Sequence, residues 1–129
     1  MVVKEMGQVI KDKSKQLDDP DWATMEKAIR LLNGITHTHV YLMIGEAVGM
    51  CISGGYYNRF FCEVIPRTGA CSHVIEDSKS RKTKMVQINQ YEAAEWAECD
   101  VVSIKIALKA AKFYALTGEC DPTLTWTTY

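Results

Sequence analysis

Residues 104–116 constrain the fold of this chain more than any other stretch. Ile104, Ile106, Ala107, Leu108, Ala110, Ala111, Phe113, Tyr114 and Leu116 are apolar, and Lys105, Lys109 and Lys112 recur at intervals of four and three. Wound as a helix, the segment keeps only one narrow lysine edge for water. The apolar share exceeds half of the circumference, so the helix must lie against a broad apolar surface. Ser103 stands where a cap is needed and Gly118 where the helix must stop. The helix is expected to lie against the sheet formed by strands upstream, with only the lysine edge in water.

The upstream sequence supplies one more helix and a run of strands. Asp19-Pro20 opens the helix: Asp19 is placed to cap free amides and Pro20 to fill the first helical position. Trp22, Met25, Ala28, Ile29 and Leu32 then form one apolar stripe, and Asn33-Gly34 ends it. From Thr36 the period changes from 3.6 to 2. Strands are expected over residues 40–44, 47–52 and 57–65, with turns at 45–46, 53–55 and 66–69. Weaker strands are expected over 72–76 and 85–88, a strand over 2–10, and a closing strand where Leu124 and Trp126 alternate with threonines. Residues 11–19 and 77–84 are charged and polar, and loops are expected there. The expectation is one α+β domain over residues 1–129. Its antiparallel meander of about five or six strands carries two main helices on one face.

Composition narrows the function. With 15 basic and 16 acidic residues the net charge is -1, which argues against a surface devoted to nucleic acid or to an anionic membrane. The basic run Lys79, Arg81, Lys82 and Lys84 follows Glu76 and Asp77 and has the pattern of a solvated loop. No apolar run reaches the ~18 residues of a spanning helix, and no leader pattern begins the chain, so a cytoplasmic protein is expected. Cys51, Cys62, Cys71, Cys99 and Cys120 are widely spaced with no CxxC pair, which suggests reduced, packed thiols and no zinc site. His37 and His39 would share one strand face but have no ligand pattern beside them. Ser53-Gly54-Gly55 is no nucleophile elbow, because strand pattern continues after it. No phosphate-binding loop, dinucleotide fingerprint or zinc-deaminase pattern occurs. Neither an enzyme, a metal nor a cofactor is therefore expected. A binding protein remains. Its alternatives are a small-ligand or regulatory domain with a cavity between sheet and helices, or a small enzyme with a paired nucleophile and base in a cleft.

Residues 91–100 stand out within that reading. Tyr91, Glu92, Glu95, Trp96, Glu98 and Asp100 place four carboxylates and two large aromatics in ten residues. Exposed aromatics within a polar rim have the composition of an interface hot spot, here one facing a basic partner.

The last third of the chain carries a resemblance. Ser103, Ala107, Ala110, Ala111, Phe113 and Gly118, followed by Pro122, Leu124 and Trp126, resemble the signature of the first family of immunity proteins of bacterial polymorphic toxin systems. Upstream, a helix ending Leu31-Leu32-Asn33-Gly34 and the divider Gly54-Gly55 are similar as well. Lys105 and Ile106 depart from that pattern where the family carries an acid. The resemblance implies a non-enzymatic inhibitor that neutralises a cognate toxin, often a nucleic-acid deaminase. On that basis residues 91–100 would lie in the toxin's basic substrate groove, while Trp126 belongs to the core.

Overall fold

The computed structural model describes residues 1–46, 48–65, 73–75, 84–92 and 94–127, with the backbone alone at 73–75. Its elements in chain order are β1 (Glu5–Ile10), β2 (Lys13–Asp18), α1 (Trp22–Arg30), β3 (His37–Gly45), β4 (Val48–Gly54), β5 (Phe60–Ile65), β6 (His73–Ile75), β7 (Met85–Val86), β8 (Trp96–Ala97), α2 (Ile104–Thr117) and β9 (Thr125–Thr127). Seven strands form one sheet in the order β2-β1-β3-β4-β5-β6-β9, and every pair is antiparallel. β7 and β8 form a separate two-stranded ribbon. The α+β class, the antiparallel sheet and the two helices agree with the sequence expectation. The sheet is wider than the five or six strands expected. No helix among the described residues is long and apolar enough to cross a membrane.

The extra strand is β2, which the sequence suggested was loop. Its hairpin with β1 turns at Lys11 and Asp12, both at positive φ (51° and 65°). Two consecutive positive φ values are the geometry of a tight hairpin turn, which usually announces itself through Asn-Gly or Asp-Gly. Lys-Asp hides it. β2 is also exposed along its whole length, so it lacks the apolar alternation that marks a strand. Lysines at 13 and 15 suit an edge that must not pair with other chains.

The start of α1 also differs from expectation. Asp19 takes a positive φ (48°) as the chain leaves β2, Pro20 precedes the helix, and Asp21 is the cap, accepting the Thr24 N–H at 2.8 Å. Hydrogen bonds from the Thr24 side chain and then from its backbone hold the Asp21 carboxyl below the usual carboxylate range. Leu32, Gly34 and the Asn33 side chain then turn the chain into β3. Asn33 Oδ1 accepts three backbone N–H groups, from Ile35, Thr36 and His37.

The core lies between the helices and one sheet face. Met25, Ala28 and Ile29 of α1 and Ala107, Ala110, Ala111, Tyr114 and Ala115 of α2 are buried against Met6, Val40, Leu42, Met50, Ile52, Cys62 and Val64. Four alanines on one helical face let the α2 backbone approach the sheet closely, which explains the long apolar arc. Lys105, Lys109 and Lys112 stay in water, as the sequence required. Trp126 packs on this core from β9, with its Nε1 donating to the Asp121 carbonyl at 2.8 Å. Gly118 closes α2 at φ 75°, its N–H bonded to the Tyr114 carbonyl.

A second, smaller cluster forms on the opposite sheet face. Phe61 and Cys62 are neighbours on β5 and so point to opposite sides. Cys62 belongs to the main core, while Phe61 packs with Val86, Ile88, Val101 and Trp96. Residues 84–92 and 94–101 therefore cover one end of the face that the helices leave open.

Candidate protein-interaction surface

Six residues of the acidic, aromatic stretch were expected to form one binding patch, and the structure separates them. Trp96 is half-buried and stacks on Phe61 with ring centroids 4.2 Å apart and an interplanar angle of 19°. It holds the second cluster together and belongs to the framework. Glu98 is tied down by its own N–H to the Lys84 carbonyl (2.8 Å) and by its carboxylate to Lys84 Nζ (3.4 Å). Glu92 reaches across the open sheet face to His39 Nε2 at 3.7 Å. Asp100 accepts a long bond from the Cys99 thiol at 3.6 Å and is partly buried. Two of the six are presented to solvent without an ion pair among the described residues: Glu95, and Tyr91 at 81% exposure.

Tyr91 has aromatic company that the sequence did not single out. The connection from β4 to β5 runs through Gly54 and Gly55 (φ 109° and 106°) into a short 3-10 turn at Tyr56–Asn58. Tyr57 and Asn58 both sit in the left-handed region, at φ 54° and 56°. Asparagine adopts that backbone readily, but for a side chain as bulky as Tyr57 it is strained, and such strain persists only where the surroundings over-determine it. The surroundings here are specific. Phe60 and Val102 exchange two backbone hydrogen bonds (2.9 and 2.8 Å), the Tyr56 N–H reaches the Ile88 carbonyl, and Asn58 Oδ1 accepts the Ile104 N–H at 3.1 Å. Gly55 packs so tightly on the α1–β3 loop that a Cβ there would collide with the Leu32 carbonyl.

That frame holds Tyr57 in water at 74% exposure. The Tyr56 and Tyr57 rings lie 4.5 Å apart at 60°, and a hydrogen bond between them, with a smaller influence from Tyr91, raises the Tyr56 hydroxyl above its ordinary value. The Arg59 guanidinium sits 5.8 Å over the Tyr57 ring. Between this loop and β7 lies an open cleft of about 480 Å3 whose walls include Tyr57, Arg59, Lys84, Met85 and Glu95. Met85 is itself half exposed. Tyrosine, methionine and arginine on a rigid support are the residues that anchor protein interfaces. Sequence reasoning missed Tyr57 because it was absorbed into the strand expected over 57–65, and Tyr56 because it fell between that strand and the turn at 53–55. The double glycine before them was the signal that the strand had ended.

The cap on α2 comes from this loop. Ser103 occupies the cap position but its side chain makes no capping bond; Asn58, 46 residues upstream in sequence, fills the role. Asn58→Ala is expected to cost about 1 kcal/mol of stability, the usual cost of a lost cap, and chemical denaturation would measure it.

Among the described residues the open sheet face offers no catalytic constellation. His39, Tyr41 and Cys51 line it, with His39 and Tyr41 stacked at 6.1 Å. Burial, aided by the nearby Glu63 carboxylate, pushes the Cys51 thiol up to about 12, and burial raises Cys62 as well. A thiol held protonated is a poor nucleophile. His37 and His39 bond through Nδ1 to the neighbouring Thr36 and Thr38 hydroxyls, and no group of three metal-ligating side chains occurs among the described residues. Cys71, Lys79, Arg81 and Lys82 lie outside the described residues. Cys120 is disulfide-bonded, which corrects the expectation that all five cysteines are reduced; wide spacing in sequence says nothing about proximity in the fold. Titration of the unreduced, unfolded chain is expected to fall two thiols short of five, since one bond consumes two. In the folded chain Cys51 and Cys62 are expected to resist iodoacetamide at pH 8. Because folding raises both thiol pKa values, the stability they contribute is complete below pH ~9. It is lost as the pH rises from there, where the unfolded chain ionises first.

No protein-family model matches the sequence, and no curated protein matches it. The resemblance to immunity proteins therefore stands on the quoted residues alone.

Proposed function

We propose that this protein is a non-enzymatic immunity protein that binds a cognate bacterial toxin, a nucleic-acid deaminase, and neutralises it by covering its active site or substrate groove. It would act in the cytoplasm of the producing cell, though the disulfide at Cys120 removes the cysteines as support for that location. The observation that carries the reading is the exposed pair Tyr57 and Tyr91 beside Glu95, held on a strained, over-determined loop and a short ribbon. Exposed tyrosines lose little conformational freedom on binding when their backbone is already fixed, so a stoichiometric inhibitor benefits from such a frame.

A basic substrate groove is the complement of Glu95, and charge attraction would speed the encounter. On this reading the role falls to Glu95. Glu92 and Glu98 are engaged with His39 and Lys84, leaving Glu95 as the available carboxylate. The alternative of a ligand domain is not favoured, because Met25, Ile29, Leu42, Met50, Ile52 and Tyr114 fill the space between sheet and helices.

The test is co-purification with the product of the neighbouring gene, followed by inhibition of that product at one-to-one stoichiometry. A toxin domain that binds and is silenced supports the proposal; an unrelated metabolic product that neither binds nor is inhibited overturns it. Within such a complex Glu95→Lys is expected to weaken binding about tenfold without moving the melting temperature. Glu98→Lys, which sets two ammonium groups together at Lys84, is expected to lower the melting temperature.

A further inference from the structure

We infer that the cleft between the Tyr57 loop and β7 receives a carboxylate side chain carried by the protein partner, with Arg59 as its anchor. The inference rests on the protein-binding reading above and names the partner's chemistry at one subsite. Arg59, Lys84 and Glu95 bring their charges to the cleft. Lys84 is already committed to Glu98 at 3.4 Å. Arg59 is half-buried and makes no ion pair among the described residues. Its guanidinium lies over the Tyr57 ring at 5.8 Å, a contact that uses the flat face of the group. The edges, which carry the N–H donors, are the part that recognises a carboxylate, and two parallel bonds can form there.

The surroundings strengthen such a bond. Tyr57 and Met85 are exposed apolar walls that a bound partner would cover, and covering them would exclude water from the ion pair. The loop bearing Arg59 is fixed by the Phe60–Val102 bonds and by Asn58, so little ordering is left for the moment of binding. Glu95 on the same cleft repels a second negative charge. A polyanion such as a nucleic-acid backbone is disfavoured on that account, and a single carboxylate on a protein surface fits. Arg59 thus reverses the polarity expected from the acidic stretch: the partner must offer an acid here as well as a base opposite Glu95.

The test uses the purified, catalytically inactivated product of the neighbouring gene, titrated against the wild-type protein, Arg59→Glu and Arg59→Gln. The expected result is a loss of about 30-fold or more for Arg59→Glu and a smaller loss for Arg59→Gln, the scale of a buried arginine anchor. Melting temperatures should stay near wild type, and Arg59→Gln serves alone if Arg59→Glu does not fold. Exchanging one interface carboxylate of the partner for lysine should restore binding to Arg59→Glu. Wild-type binding with variants within twofold of it overturns the subsite and leaves the immunity reading intact. A loss that no partner carboxylate exchange rescues also overturns the subsite. Failure of the wild-type protein to bind overturns both. A 20-residue oligothymidylate that binds wild type and not Arg59→Glu would reassign Arg59 to phosphate and overturn the inference.

Discussion

Removing the Tyr57 and Tyr91 side chains together is expected to abolish measurable association with the partner while leaving the fold intact. Both rings are mostly in water, at 74% and 81% exposure, so truncating them to alanine withdraws little from the folded chain. In a complex the balance is different. A buried interface tyrosine commonly contributes ~2 kcal/mol or more, so each single variant should weaken binding about 30-fold, and the double variant by more. The two losses need not add, because both rings flank Tyr56. Calorimetric titration would measure the binding, and circular dichroism would confirm the fold. Double-variant affinity within threefold of wild type would remove these residues from the interface and with them the main support for the proposed function.

Trp96→Ala is expected to be the most damaging change outside the main core, at about 3 kcal/mol. Its ring is the largest member of the second cluster and rests flat on Phe61. Large-to-small changes of this kind lose both burial and contact. Trp96→Phe separates packing from polarity. The Trp96 Nε1 is buried with no hydrogen-bond partner among the described residues, as are both amide atoms of Asn89 nearby in sequence. An unpaired buried donor costs about 1–3 kcal/mol. Phenylalanine keeps an aromatic on Phe61 and deletes that donor, so it should cost far less than alanine or even stabilise the chain. Denaturant midpoints of the three proteins check this. Equal losses for Ala and Phe would mean the indole nitrogen has a role that the packing account omits. Because the same segment carries Tyr91 and Glu95, Trp96→Ala should weaken partner binding too, through loss of position.

The strong helix was legible because its pattern forces one solution: four buried alanines, a buried Tyr114 and three solvent lysines follow directly from the spacing. β3, β4 and β5 were legible for the same reason, since alternation shows where one face is buried. β2 was not, because a fully exposed edge strand has no buried face to mark it and its turn uses Lys-Asp. The candidate surface was half legible. Composition drew attention to residues 91–100, and Tyr91 and Glu95 are presented there. It could not separate an exposed ring such as Tyr91 from a packed one such as Trp96. Nor could it see side chains brought together across elements, such as Glu92 beside His39 and Glu98 beside Lys84. Tyr57 and Arg59 escaped because their role depends on φ angles and on α2, which lies more than forty residues away in sequence.

The bond from Asn58 to Ile104 has a consequence for when this surface exists. Joining positions so far apart in sequence has a loop-closure cost that is offset only late, once the helix has docked on the sheet. Before then the β4–β5 connection lacks the bond that ties its left-handed shape to α2. A partner that recognises Tyr57 in that shape therefore recognises the finished molecule and ignores nascent or partly unfolded chains. By mass action its binding would in turn slow loss of the native state, so that the complex should outlast the free chain under proteolysis.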